Sequence, residues 1–73
     1  MDPLAKALGA RIRTQRKACR LSQDGLALAC NIDRSYIGRI ERGEVNVTVD
    51  KLYLIAEVLE CDPASLLPRM MEL

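Results

Sequence analysis

The apolar positions of this chain recur at helical spacing in five segments separated by short polar breaks. In the first, Leu4, Leu8, Ile12 and Cys19 share one face of a helix expected over residues 3–19, with Arg11, Arg13, Gln15 and Lys17 elsewhere on it. Pro3 suits the first turn of that helix, where a missing N–H costs nothing. Ser22, just after Leu21, predicts the cap of a second helix over residues 23–30, with Leu26, Ala27 and Ala29 filling one side. Gly25 weakens that helix by about 1 kcal/mol relative to alanine. Asn31 follows, a residue that tolerates the left-handed conformation of a helix end. Asp33, after Ile32, caps a third helix over residues 34–42, which stops at Gly43. Thr48 caps a fourth over residues 49–60, where Leu52, Ile55, Ala56 and Leu59 follow the i, i+3, i+4, i+7 rule. Asp62-Pro63 reads as cap and first residue of a short fifth helix that ends before Pro68, leaving 69–73 as a tail.

No segment shows the alternation of a strand, so the pattern predicts an all-α fold, one compact five-helix domain over residues 1–73. The second and third helices are joined by only three residues, 31–33, which is the spacing of a helix-turn-helix, here about 22–42. On a wheel of about 100° per residue, Tyr36, Ile37 and Ile40 lie on one side of the third helix. Arg34, Ser35, Arg39 and Arg42 lie on the other, around Gly38. That outer face suits a DNA groove: arginine presents a planar fork that matches the acceptors of guanine, and serine donates or accepts at bases or phosphate. Gly38 puts no side chain in the middle of the face, which would permit a close approach. A solvated charged surface is the plainer reading of the same residues. The exposed N–H groups at the start of the second helix, around Ser22 and Gln23, form a natural phosphate site.

Charge sharpens this picture. Up to Arg42 nine basic residues face four acidic ones, and from Gly43 onward two face six, so the net +1 conceals a basic half and an acidic half. One half can meet a polyanion while the other stays away from it. Histidine is absent, and Cys19, Cys30 and Cys61 form no CxxC pair, so reduced thiols in buried or half-buried positions are expected, with no metal and no cofactor. The sequence offers no nucleophile–base pair, glycine-rich phosphate loop or paired-aspartate cluster, which sets an enzyme aside. No apolar run reaches the roughly 18 residues of a membrane span, and the start of the chain lacks a signal-peptide layout. A cytoplasmic, nucleoid-associated protein with no membrane or small-molecule partner is expected.

The combination Leu21-Ser22-Gln23, Leu26-Ala27, Ile37 and Ile40-Glu41-Arg42-Gly43, then the Leu52/Ile55-Ala56/Leu59 helix and Asp62-Pro63, resembles the lambda-repressor/Cro-type (XRE) helix-turn-helix family. Within it, Asn31-Ile32-Asp33-Arg34-Ser35-Tyr36-Ile37 followed by Ile40-Glu41-Arg42 looks most like the controller proteins of restriction–modification systems. The resemblance implies a third helix that enters the major groove of double-stranded DNA. It implies base reading by Arg34, Ser35 and Arg39, and phosphate contact by Gln23 and Arg42, to which Ser22 and Tyr36 are added. It also implies a structural ion pair between Arg16 and Glu41. Gly25, Asn31, Glu60 and Gly38 depart from the family's usual residues and bear on base preference rather than fold.

The fourth helix and the C-terminal part carry more apolar residues than one core face needs. Tyr53, Leu54, Val58, Leu66 and Leu67 are therefore expected to form a two-fold dimer interface within residues 49–73. The function expected is a DNA-binding transcription regulator acting as a homodimer on a palindromic operator, controller-like and autoregulated. The alternatives are an antitoxin or adaptor that uses the same fold to grip a protein, and a phage-type repressor.

Overall fold

The computed structural model describes residues 2–73. Five α-helices follow one another, α1 (Pro3–Ala18), α2 (Gln23–Cys30), α3 (Arg34–Glu41), α4 (Val49–Val58) and α5 (Pro63–Leu66), before a single 3-10 turn at Met70–Glu72. The described residues contain no strand. Each α-helix starts on a side-chain cap: Asp2, Ser22, Asp33, Thr48 and Asp62 each accept a backbone N–H of the first turn. Four of these caps follow from the sequence pattern, and Asp2 is an addition to them.

The helix ends share one device. Arg20, Asn31, Gly43 and Glu60 all take the left-handed backbone conformation, with φ of 59°, 55°, 75° and 56°. Directly after each, an N–H reaches back five residues: Leu21 to Arg16, Ile32 to Ala27, Glu44 to Arg39 and Cys61 to Ala56. This closure satisfies carbonyls that the helix end would leave bare. It also folds Leu21, Ile32 and Cys61 back against the core. Asn31 behaves as its residue type foretells, whereas nothing in the types of Arg20 and Glu60 announces this conformation.

The core is aliphatic. Ile12, Leu26, Ile37, Ile40, Ile55, Leu59 and Leu66 are fully buried, one or two from each helix, with Leu59 at the C-cap of α4. α1 crosses α3 at near-contact distance: a Cβ on Gly9 would stand 2.1 Å from the Ile40 carbonyl oxygen. Three expectations need correction. Leu4 is exposed by 41% and Ala5, one position on, is buried: the face of α1 that meets the core runs through Ala5, Leu8 and Ile12, and Leu4 lies beside it on the apolar groove. Ala29 is exposed. Leu66, expected in a dimer interface, is only 2% exposed and fills the monomer core, because the short α5 turns inward beneath α4. The tail is also less open than expected: Arg11 of α1 binds Glu72 at 2.6 Å and holds the terminal turn. Cys30 is buried and Cys19 and Cys61 are half-buried, all as free thiols. Among the described residues no helix is long and apolar enough to cross a membrane.

Candidate nucleic-acid interface

α2, the turn at residues 31–33 and α3 form a helix-turn-helix, closed by the Ile32 N–H on Ala27 and by the Asp33 cap of α3. Ile37 and Ile40 anchor α3 in the core, which fixes its opposite side toward solvent. On that side Arg34, Ser35 and Arg39 are all exposed. Arg39 has no ion-pair partner among the described residues. Arg34 Nε lies 3.1 Å from Asp24 Oδ1, an exposed pair of small energetic weight. The Ser35 hydroxyl and N–H both donate to Asp33 Oδ1, at 2.9 and 3.0 Å, and these bonds hold the Asp33 carboxyl below the usual carboxylate range.

The phosphate candidates are arranged differently from what the wheel suggests. Arg42 Nε donates to Glu44 Oε2 at 2.6 Å, an exposed pair that competes with a phosphate for the guanidinium. Gln23 is half-buried, and its Nε2 donates to Glu41 Oε1 at 3.0 Å. Gly38, expected as an open spot on the outer face, is buried instead. A Cβ there would meet Arg42 Nη1 at 3.0 Å and Gln23 Oε1 at 3.7 Å. The glycine is the seat on which these two polar side chains fold across α3, and it does not itself face outward. Ser22 caps α2 through the Gly25 N–H.

Beneath this surface Arg16 Nε and Nη2 donate to the two oxygens of Glu41, at 2.7 and 3.0 Å, and Arg16 Nη1 donates to the Leu21 carbonyl at 2.8 Å. Both side chains are nearly buried, so removing either leaves an uncompensated charge. With Gln23 attached to the same carboxylate, this network ties α1, the start of α2 and the end of α3 together. It sets the height of the α2 N-terminus relative to α3.

On the other flank, Tyr36 is half-buried and Lys51, from the first turn of α4, holds its ammonium 5.3 Å from the ring centroid. Asn31, Ser35, Tyr36, Arg39 and Lys51 line one shallow groove. Lys51 is the residue that sequence reasoning missed. It stands fifteen positions beyond Tyr36, and no helical or turn periodicity links the two.

The apolar residues expected at an interface divide. Tyr53, Leu54 and Leu67 are exposed by 60%, 37% and 42%, with Val49 at 71%. Leu4, Val49, Tyr53 and Leu67 line one apolar groove across α1, α4 and α5. Val58 is half-buried against the core.

A helix-turn-helix family model matches residues 12–66. Control protein C.SmaI of Serratia marcescens is 36% identical over 66 residues, which cover 90% of this chain and 79% of that one. Control protein C.BamHI of Bacillus amyloliquefaciens is 43% identical over 47 residues, 64% of this chain and 58% of that protein. The solved structure of the restriction-modification controller protein C.AhdI from Aeromonas hydrophila aligns with a TM-score of 0.82 and 39% identity, covering 85% of this chain and 94% of that one. The chain belongs to the helix-turn-helix family, XRE type, among relatives that are restriction–modification controller proteins.

Proposed function

We propose that this protein is a DNA-binding transcription regulator of the controller type, which binds a palindromic operator as a homodimer and regulates its own gene. The family and its control-protein relatives are regulators rather than enzymes. The observation that carries the reading is the exposed side of α3: three neighbouring positions, Arg34, Ser35 and Arg39, held outward by two fully buried isoleucines on the reverse side. In this reading α3 enters the major groove and these residues meet base edges. Ser22, Gln23, Tyr36 and Arg42 meet phosphates, Arg42 by releasing Glu44. The unpartnered apolar groove at Val49, Tyr53 and Leu67, on the acidic part of the chain, pairs with a second copy and leaves the basic part free for DNA. Its place of action is the cytoplasm, at the nucleoid.

Selection of bound fragments from a random duplex pool at near-physiological salt tests this. The expected result is an enriched palindrome with half-sites about 10 base pairs apart. If no sequence is enriched, the reading is wrong, and a protein partner for the same fold becomes the next search.

A further inference from the structure

We infer that Lys51 is a phosphate-contacting residue that, with Gln23, brackets α3 between the two DNA backbones of the groove; this rests on the reading of α3 as the DNA-reading helix. A helix in the major groove has a sugar–phosphate strand on each side of it, and phosphate contacts on both sides fix its depth and register. Gln23 folds over Gly38. Lys51 packs on Tyr36. Gly38 and Tyr36 are two positions apart, about 160° around the helix, so the two polar groups flank α3 from opposite sides. The first flank is supplied within the helix-turn-helix, whereas the second is supplied by α4.

Three further features suit Lys51 to this role. It opens into the same groove as Ser35 and Arg39, so an anion there lies beside two base-reading positions. It makes no ion pair among the described residues, so its ammonium is available to an anion. The acid lining the groove, Asp33, already accepts two hydrogen bonds from Ser35. Finally, the Tyr36 ring restrains the side chain, so less rotamer freedom is lost when the ammonium meets its anion. A lysine ammonium is a compact point charge with three rotatable donors, which suits a phosphate.

The test compares wild type, Lys51→Met and Lys51→Arg for binding to the selected duplex and to the unselected random pool, across a salt series. Methionine keeps the packing on Tyr36 and removes the charge, and thermal melting of each variant confirms equal folding. The expected result is that Lys51→Met weakens both duplexes by the same factor and lowers the slope of log affinity against log salt by about 0.9. The wild-type advantage then shrinks about 3.5-fold between 50 and 200 mM salt, as release of one counterion requires. Lys51→Arg keeps the wild-type slope. Unchanged affinity in Lys51→Met, or a loss confined to the selected duplex with the slope intact, overturns the assignment while wild-type binding leaves the DNA reading standing. If wild type binds neither duplex, the DNA reading itself has failed and Lys51 falls with it.

Discussion

Arg39 and Gly9 show how a single side chain is decided by what lies behind it. Arg39 is exposed, free of ion pairs among the described residues and backed by the buried Ile37 and Ile40. Replacing Arg39 with Ala is expected to weaken binding to the selected operator by about 1–3 kcal/mol and to relax preference at one base pair. Competition binding against single-base operator variants measures this, and an equal loss on all sequences would make Arg39 a phosphate contact instead. The exposure of Arg39 is legible from helical periodicity alone. Gly9 is different: it reads as one more small residue on α1, and only the crossing with α3 shows that a Cβ would stand 2.1 Å from the Ile40 carbonyl oxygen. Gly9→Ala therefore forces the two helices apart and is expected to cost about 1–3 kcal/mol, the usual range for overpacking, despite alanine's better helix propensity. Chemical denaturation reads the outcome, and a stabilised variant would mean that α1 shifts without loss. Gly38 teaches the same lesson in reverse. The wheel makes it part of an open face, and the structure lays Arg42 and Gln23 across it.

At the scale of elements, starts were easier to read than stops. Helix starts are fixed by local chemistry, a short oxygen-bearing side chain next to the N–H groups it accepts, so Ser22, Asp33, Thr48 and Asp62 announce their helices. Asp2, just before Pro3, caps α1 in the same way. Stops at Arg20 and Glu60 were illegible, since both residues are ordinary helix formers driven into the left-handed region by the five-residue backbone closure that follows. That conformation carries a steric penalty for any side chain beyond glycine. Glu60→Gly is accordingly expected to raise stability by about 0.5–1 kcal/mol, seen as a higher urea midpoint. A lower midpoint would mean that the Glu60 side chain contributes more than its backbone costs. The predicted ends of α1 and α4 overshoot by one and two residues for the same reason.

For the molecule as a whole, two expectations concern how its parts act together. The groove at Val49, Tyr53 and Leu67 joins α1, α4 and α5 on the side that carries the chain's excess of acid. Tyr53→Asp is expected to leave a folded monomer in sedimentation experiments and to reduce operator affinity more than tenfold, because the two half-sites lose their linkage. A dimer that persists would move the interface elsewhere on the surface. Acid should act through exposed carboxyls at the joints. The Asn46 amide and the Leu4 N–H hold Asp2 low, the Ser35 N–H holds Asp33 low, Arg42 holds Glu44 low, and the Arg69 N–H with Arg11 holds Glu72 low. A depressed folded-state pKa stabilises above the ordinary carboxylate value and is lost as pH falls through the folded one. The urea midpoint is therefore expected to be flat from about pH 7 to 5 and to fall below about pH 4; a midpoint unchanged at about pH 3 would dissociate these bonds from stability. The sequence by itself determined the five helices, four of their starting caps, the helix-turn-helix spacing and the outward arginines. All of these depend on contacts within a turn or two of chain, which periodicity records. Tertiary structure alone decided that Leu66 belongs to the core, that Gly9 is a crossing point, that Gly38 is covered and that Lys51 stands against Tyr36. Those facts depend on which helix lies beside which, at a distance along the chain that no local pattern encodes.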